Sequence, residues 1–462
     1  MEQIKQNKRI AEVLAEFAVN SKYEDLPRET TDQVKRYVLD VIGCTIGSSR
    51  RPQINILTEV LKEQGGQPYS SIFAHGFKTS PMNAALLNGT MGHALDFDDD
   101  HREGTMHPSV AVFPAVFAVG EKRNASGKDF MRSFILGLEV MIRLGESLLG
   151  QSYYQGFHPT GTCGVFGAAT ACATIMGLDV LRTKYALGIA GSFSAGTQEC
   201  TGEGAWQKPL QAGHPAMGGV LAAALAEKEF IGAGTVFDGP YGLIKALSYK
   251  DQYEYDRITE TLGRKWEMTE TSIKVHACCR FSGPVTDCAL DLYEQGVRAK
   301  NVKKITAKVG EFTVKMLCYP IDRKLRPQTH VDAQFSLPYA IAVALCKNRT
   351  GIKEFSADAI HDPEVLALAE KVTWELDPEA EKWYPKAYPA TVMTELNDGR
   401  VLQAHVDYPK GDPENPASDE EIIAKFNSLA EPYVERDKRE KIVEAVMRLE
   451  NINIVELAEL VR

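Results

Sequence analysis

Two absences bound this sequence before any motif is read. No apolar run reaches the roughly 18 residues that a membrane-spanning helix requires. No C-x-x-C pair occurs among the nine cysteines, which are odd in number and scattered. The opening segment, Met1-Glu-Gln-Ile-Lys-Gln-Asn-Lys-Arg9, lacks the apolar core of a signal peptide. These features predict a chain that spans no membrane and works, without disulfides, in a reducing cytoplasm. The adjacent Cys278 and Cys279 suit neither an ordinary disulfide nor a zinc knuckle and read as small buried residues. No Walker A lysine motif occurs, no G-x-G-x-x-G follows a credible strand, and no G-x-S-x-G elbow precedes a strand–helix turn. No repeat of roughly twenty to fifty residues is evident. Positive charge is short as well. The 52 Lys and Arg against 62 Asp and Glu leave a net charge of −10, which argues against nucleic acid, because a phosphate backbone attracts positive surfaces. An anionic substrate would therefore need a local cationic pocket.

What is present is an ordinary globular composition, 44% hydrophobic and 25% charged, over 462 residues. That length is enough for a large core and predicts two domains. The first 270 residues read mostly as helices. Ala11 to Val19 shows apolar spacing of three and four, and Thr30-Thr-Asp-Gln33 resembles a capping box ahead of Val34, Tyr37, Val38, Val41 and Ile42. Phe130 to Leu149 continues the pattern. Gly164 to Gly177 and Ala216 to Ala226 are rich in Gly and Ala, so their helices can approach closely and be buried all round. After about Glu270 the pattern changes. Ile305, Ala307 and Val309 alternate as in a strand, and Thr391–Leu396 and Val401–Val406 flank Asn397-Asp-Gly399 as a hairpin. Helices are expected near Ala333–Cys346 and Pro363–Lys371. Ser418-Asp-Glu-Glu421 is a second capping box, and Arg436 to Asn451 is amphipathic. The predicted fold class is mainly α, with a large all-helical domain and a smaller α+β domain.

The densest chemistry lies in His93-Ala-Leu-Asp-Phe-Asp-Asp-Asp-His-Arg-Glu-Gly-Thr-Met-His107, which holds three histidines, four aspartates and a glutamate between two apolar runs. Ionisable groups between buried helices are costly unless they pair or do chemistry. Three readings stand. The aspartates can hold a divalent cation, although Asp98-Asp99-Asp100 has no regular helical spacing and no second acidic motif completes such a site. They can cap the helix starting near Pro108. Or a carboxylate can orient a histidine that moves a proton near neutral pH. His101 reads either as a surface loop histidine or as part of this group.

The segment Asn88-Gly-Thr-Met-Gly-His-Ala-Leu-Asp-Phe-Asp-Asp-Asp-His-Arg-Glu-Gly-Thr-Met-His-Pro-Ser109 resembles the signature of the MmgE/PrpD family, which includes 2-methylcitrate dehydratase, cis-aconitate decarboxylase and iminodisuccinate epimerase. Gly156-Phe-His-Pro-Thr-Gly-Thr-Cys-Gly164, Lys208-Pro-Leu-Gln-Ala-Gly-His-Pro-Ala216, Ile273-Lys-Val-His-Ala-Cys-Cys-Arg280 and Val331-Asp-Ala-Gln-Phe-Ser-Leu-Pro-Tyr339 resemble further blocks of that family, in order along nearly the whole chain. The resemblance implies that residues 1–270 and 408–462 form one discontinuous helical domain and that residues 271–407 form an inserted lid. It also implies a homodimer, as does the apolar character of the Gly/Ala-rich helices.

The resemblance carries Asp96 and His107 into the active site, with His158 as a second histidine and Lys208 as its lysine. Read alone, His158 before Pro159 is a loop histidine, and Lys208 lies between Trp206 and a helix expected near His214. From Lys274 to Arg326 eleven Lys and Arg face five Asp and Glu. Lys303, Lys304 and Lys308 read as the wet side of a strand, whereas Lys274 and Arg280 lie in a motif and suit carboxylate contacts. The resemblance adds His276, Asp100 and, from its decarboxylase branch, Tyr319. Two positions depart from the pattern. Asp100 stands where cis-aconitate decarboxylases tend to have Thr, and Gly283 where many members have His. The expected activity is therefore that of a cofactor-independent lyase, a dehydratase or decarboxylase, acting on a small di- or tricarboxylate such as 2-methylcitrate or cis-aconitate. His107, oriented by Asp96, is expected to move the proton at carbon, with Lys274 beside it in catalysis. Lys208, Lys274 and Arg280 are expected to hold carboxylates, and neither metal nor cofactor is expected. An epimerase of an aspartate-like dicarboxylate and a catalytically silent carboxylate-binding protein are the alternatives.

Overall fold

The computed structural model describes residues 8–200, 205–384 and 386–462. The first seven residues of the opening segment judged for a signal peptide lie outside the described residues. Contacts divide the chain into two compact units, Met1–Thr271 with Ile422–Arg462, and Ser272–Glu421. The molecule is mainly α, and among the described residues the one sheet of more than two strands lies in the second unit. No helix among the described residues is long and apolar enough to cross a membrane. All nine cysteines are free, and Cys278 and Cys279 are buried.

The larger unit is a pack of helices: α1 (Ile10–Asn20), α2 (Arg28–Ser48), α3 (Pro81–His93), α4 (Pro108–Arg123), α5 (Gly127–Ser147), α6 (Pro159–Ile175) and α7 (Gln207–Glu227). Small residues set the spacing of the buried ones. A methyl group built on Gly213 of α7 would lie 2.1 Å from the Leu86 carbonyl oxygen of α3, and one on Gly219 only 2.4 Å from Ala168 of α6. Gly137 of α5 and Gly167 of α6 face one another in the same way, each 2.7 Å from the other's carbonyl oxygen. The helices therefore meet backbone to backbone, and the Gly/Ala-rich faces are consumed inside this unit. That removes the apolar-surface argument for a dimer. Beside these crossings Phe73, Phe113, Phe117, Phe130 and Phe134 form an aromatic cluster with edge-on contacts.

Helix starts differ from expectation at two places. The helix carrying Thr30–Gln33 begins at Arg28, after Pro27, so these residues lie inside it, and the Thr31 hydroxyl donates back to the Arg28 carbonyl. A proline has no N–H to satisfy and suits a helix start, which moves the boundary forward. Likewise α7 begins at Gln207 rather than near His214, and runs through Pro215.

The smaller unit holds β1 (Val302–Val309), β2 (Val372–Leu376), β3 (Ala390–Leu396) and β4 (Val401–Val406) in the order β2-β1-β3-β4. β1 is parallel to β2, while β3 is antiparallel to both β1 and β4. Val302, Ile305, Ala307 and Val309 are buried and Lys303 and Lys304 exposed, the alternation being shifted by a bulge between Val302 and Lys304. In the β3–β4 hairpin only Gly399 has positive φ. The helix expected over Ala333–Cys346 is two helices, His330–Gln334 and Leu337–Lys347. They break at Phe335–Ser336, where the Ser336 hydroxyl caps the second through the Tyr339 N–H. Ser418 and Glu421 form the expected reciprocal cap on Asp419–Ala430.

Candidate active site

Two His-Pro steps place the central imidazoles. His107 precedes Pro108 at the start of α4, and His158 precedes Pro159 at the start of α6. Proline at the first helical position leaves each histidine just outside a buried helix, where the helix dipole favours negative charge. The two starts are tied together, since the His107 N–H donates to the Thr160 hydroxyl at 3.0 Å. The expected aspartate cap is Asp99, which accepts from the Ser109 N–H at 3.1 Å and makes a very short contact with the Ser109 hydroxyl. Burial, together with the nearby charges of Asp40 and Asp98, pushes the Asp99 carboxyl well above the usual range despite those bonds.

A third imidazole, His93, ends α3 and was given no role in the sequence reading. Its ring lies 4.5 Å from that of His107 and 5.7 Å from that of His158, centre to centre. Asp98 joins the pair, lying 2.9 Å from His93 Nδ1 and 3.1 Å from His107 Nδ1. Burial opposes its charge, but the two imidazoles outweigh that penalty and hold its carboxyl well below the usual range. His93 itself is lowered to about 4, first by burial and also by the Lys208 ammonium, against the pull of Asp98. It is thus neutral at pH 7, and its Nε2 accepts from Lys208 Nζ at 3.1 Å. Lys208 also donates to Asp96 at 2.9 Å. It lies in the first turn of α7, whose close crossing with α3 brings it to His93.

The expectation that Asp96 orients His107 needs correction. Asp96 Oδ1 is 3.8 Å from His107 Nε2, while His107 Nδ1 is 2.8 Å from the Asp99 carbonyl. A carbonyl only accepts, so Nδ1 carries the hydrogen and Nε2 is left to do chemistry. Asp100 Oδ2 also lies 3.8 Å from that Nε2. His158 follows the same logic. Its Nδ1 donates to Gln211 Oε1 at 2.8 Å, and Gln211 is itself oriented by donating from Nε2 to the Thr197 carbonyl. Burial, then the Lys208 charge, lowers His158 well below the usual histidine range. His101 is buried rather than on the surface. Its Nδ1 accepts from the Gly104 N–H and its Nε2 faces Glu146 at 3.7 Å.

The fold brings together potential ligands that are scattered in the sequence. One ligand atom each from His93, His107 and His158 lie within 4.8 Å of one another, and so do atoms of His93, Asp96, Asp98 and His107. These residues are chemically able to ligate a cation, but Lys208 already brings a fixed positive charge to His93 and Asp96.

The other expected residues belong to the smaller unit. His276 uses both ring nitrogens there, Nδ1 on Thr350 at 2.6 Å and Nε2 on Asp287 at 2.7 Å, an arrangement that holds structure and leaves no ring nitrogen for substrate. Arg280 donates to Asp412 at 2.8 Å, and Lys274 is nearly buried. Tyr319 is 57% exposed, with its ring edge-on to Trp374. Gly283 starts a helix against Pro409, so a side chain there would collide. Of the residues bearing on the larger unit's site, His93, Asp98, Gln211 and Thr160 were missed. The one available signal was the His93-to-Asp98 spacing across a helix end.

Comparison with known proteins agrees with these motifs. Residues 12–256 match the MmgE/PrpD N-terminal domain and residues 276–451 the MmgE/PrpD C-terminal domain. The chain is 27% identical to a cis-aconitate decarboxylase-like protein of Aspergillus oryzae, with 97% of this chain and 96% of that protein covered. It is 25% identical to the cis-aconitate decarboxylase of Mus musculus, over 90% of this chain and 86% of the relative. With the 2-methylcitrate dehydratase of Escherichia coli K12 the identity is 23%, over 86% and 85%. The chain belongs to the MmgE/PrpD family.

Proposed function

We propose that the protein is a lyase that moves a proton at carbon in a small tricarboxylate, with decarboxylation of cis-aconitate as the first reading. The observation that carries it is the His107 imidazole, fixed through Nδ1, beside the Lys208 ammonium and the Asp96 carboxylate. In this reading the C–C bond to one carboxylate breaks and CO2 leaves. The electron pair stays on the carbon skeleton, where Lys208 offsets the charge. His107, as the imidazolium, gives its Nε2 proton to carbon and is reprotonated from solvent. The relatives named as cis-aconitate decarboxylases support this substrate class.

Asp100 favours a second reading, dehydration. Its carboxyl faces the same Nε2, and a dehydratase needs a base for the carbon proton together with an acid for the departing hydroxyl. Decarboxylation needs no leaving-group acid. Proton NMR in D2O separates the readings with cis-aconitate, citrate, 2-methylcitrate and iminodisuccinate as substrates. The first reading predicts new alkene signals and CO2 release from cis-aconitate, with deuterium on one product carbon. New alkene signals from 2-methylcitrate without CO2 support the second. Deuterium exchange into iminodisuccinate without net loss, or ligand broadening without change in any sample, overturns both. Exhaustive chelation is expected to leave turnover intact, and restoration of an EDTA-lost activity by Mg2+ or Fe2+ contradicts acid–base chemistry by these residues.

A further inference from the structure

The loop between His93 and His107 is under backbone constraint. Asp96 has φ of 51°, a left-handed conformation that is strained for a non-glycine residue and persists only where neighbours enforce it. A contact from the C-terminal segment reaches this loop. Lys425, on the helix Asp419–Ala430, is buried and donates from Nζ to the Phe97 carbonyl at 2.6 Å. Its ammonium also lies 4.0 Å over the centre of the Phe97 ring and 2.5 Å from Asp40 Oδ1. Asp40, on α2, is itself buried. The Lys425–Asp40 pair thus holds the chain at Phe97, the residue before Asp98. Asp98 and the Asp99 carbonyl are the two partners of His107 Nδ1.

We propose that Lys425 is a positioning residue, which acts through the Phe97 carbonyl to hold Asp96 and the acceptors of His107 Nδ1 in register. The inference rests on the acid–base reading of His107 for its effect on turnover, but not for its effect on the imidazole. A buried charge this well paired does not by itself argue for stability, since replacing both partners by neutral groups of similar volume is often nearly neutral. Removing one partner strands the other charge, so Lys425→Met alone is expected to unfold readily. The informative variant is the double substitution Asp40→Asn with Lys425→Met. It removes both charges together with the Lys425 bond to the Phe97 carbonyl and the ammonium over the Phe97 ring.

For this double variant, the expected result is a melting temperature within a few degrees of the parent's and an unchanged KM. The kcat is expected to fall roughly a hundredfold, the scale of an ångström-sized misplacement of a reacting group. Lys425→Arg, which can still donate to the carbonyl, should recover part of that loss. Nitrogen-15 NMR of histidine-labelled protein gives a readout that needs no substrate. The His107 Nδ1–H signal of the parent should be lost or shifted in the double variant. A double variant that keeps both the parent kcat and the parent His107 signal overturns the proposal. A parent enzyme inactive on every tricarboxylate, with the His107 signal still lost in the variant, overturns the lyase reading and leaves the positioning role standing.

Discussion

His107 and His158 each commit Nδ1 to a fixed acceptor, and His93 commits its Nδ1 to Asp98, so in all three imidazoles Nε2 is the nitrogen left for other partners. The carboxyl behind His101 behaves in the opposite sense. Burial, with Glu267 and Glu103 adding repulsion, pushes Glu146 up to about 8. The folded state therefore holds a proton on Glu146 that the unfolded state releases near the ordinary carboxyl value of about 4.3. Stability from this group is present at low pH and declines as pH rises from there to about 8. Glu146→Gln removes the titration. Its stability relative to the parent should improve steadily between pH 5 and pH 8 in thermal melts, and a difference independent of pH would show that Glu146 is not held protonated. His93, lowered to about 4, slopes the other way. Its contribution is full above the ordinary histidine value and is lost as pH falls to about 4.

At the scale of elements, the site depends on how closely α3 and α7 cross, since α3 ends in His93 and α7 begins with Lys208. Gly213→Ala would set a methyl group 2.1 Å from the Leu86 carbonyl oxygen and 2.3 Å from the Thr90 hydroxyl. Backbone cannot swing aside as a side-chain end can. The substitution should cost about 1–3 kcal/mol, as overpacking does, and should lower turnover by separating Lys208 from His93. An unchanged melting temperature and kcat would show that the crossing has slack. Most helices here were legible from apolar spacing, because burial on one face imposes that period on the sequence. Boundaries were less so: Thr30–Gln33 has the residues of a cap, but Pro27 starts the helix first. The role of Asp98 left only its spacing from His93 as a trace in the sequence, and that of Gln211 left none. Each acts on a histidine through a fold-made contact, Asp98 across a helix end and Gln211 from another helix.

For the whole molecule, the interior use of the Gly/Ala faces leaves the dimer expectation resting on the family resemblance. Light scattering at micromolar concentration should give about twice the 51.0 kDa chain mass, and a monomer throughout that range would refute the dimer. The central claim is that His107 carries the proton. Steady-state kinetics of His107→Ala on cis-aconitate, beside Lys274→Ala, test it most directly. The histidine variant should stay folded by circular dichroism and lose kcat by roughly a hundred- to ten-thousand-fold, the range for a general acid–base group. The lysine variant should mainly raise KM, as loss of uniform carboxylate binding does. A collapse of kcat in Lys274→Ala with only a KM change in His107→Ala would contradict the account and make the lysine the proton donor.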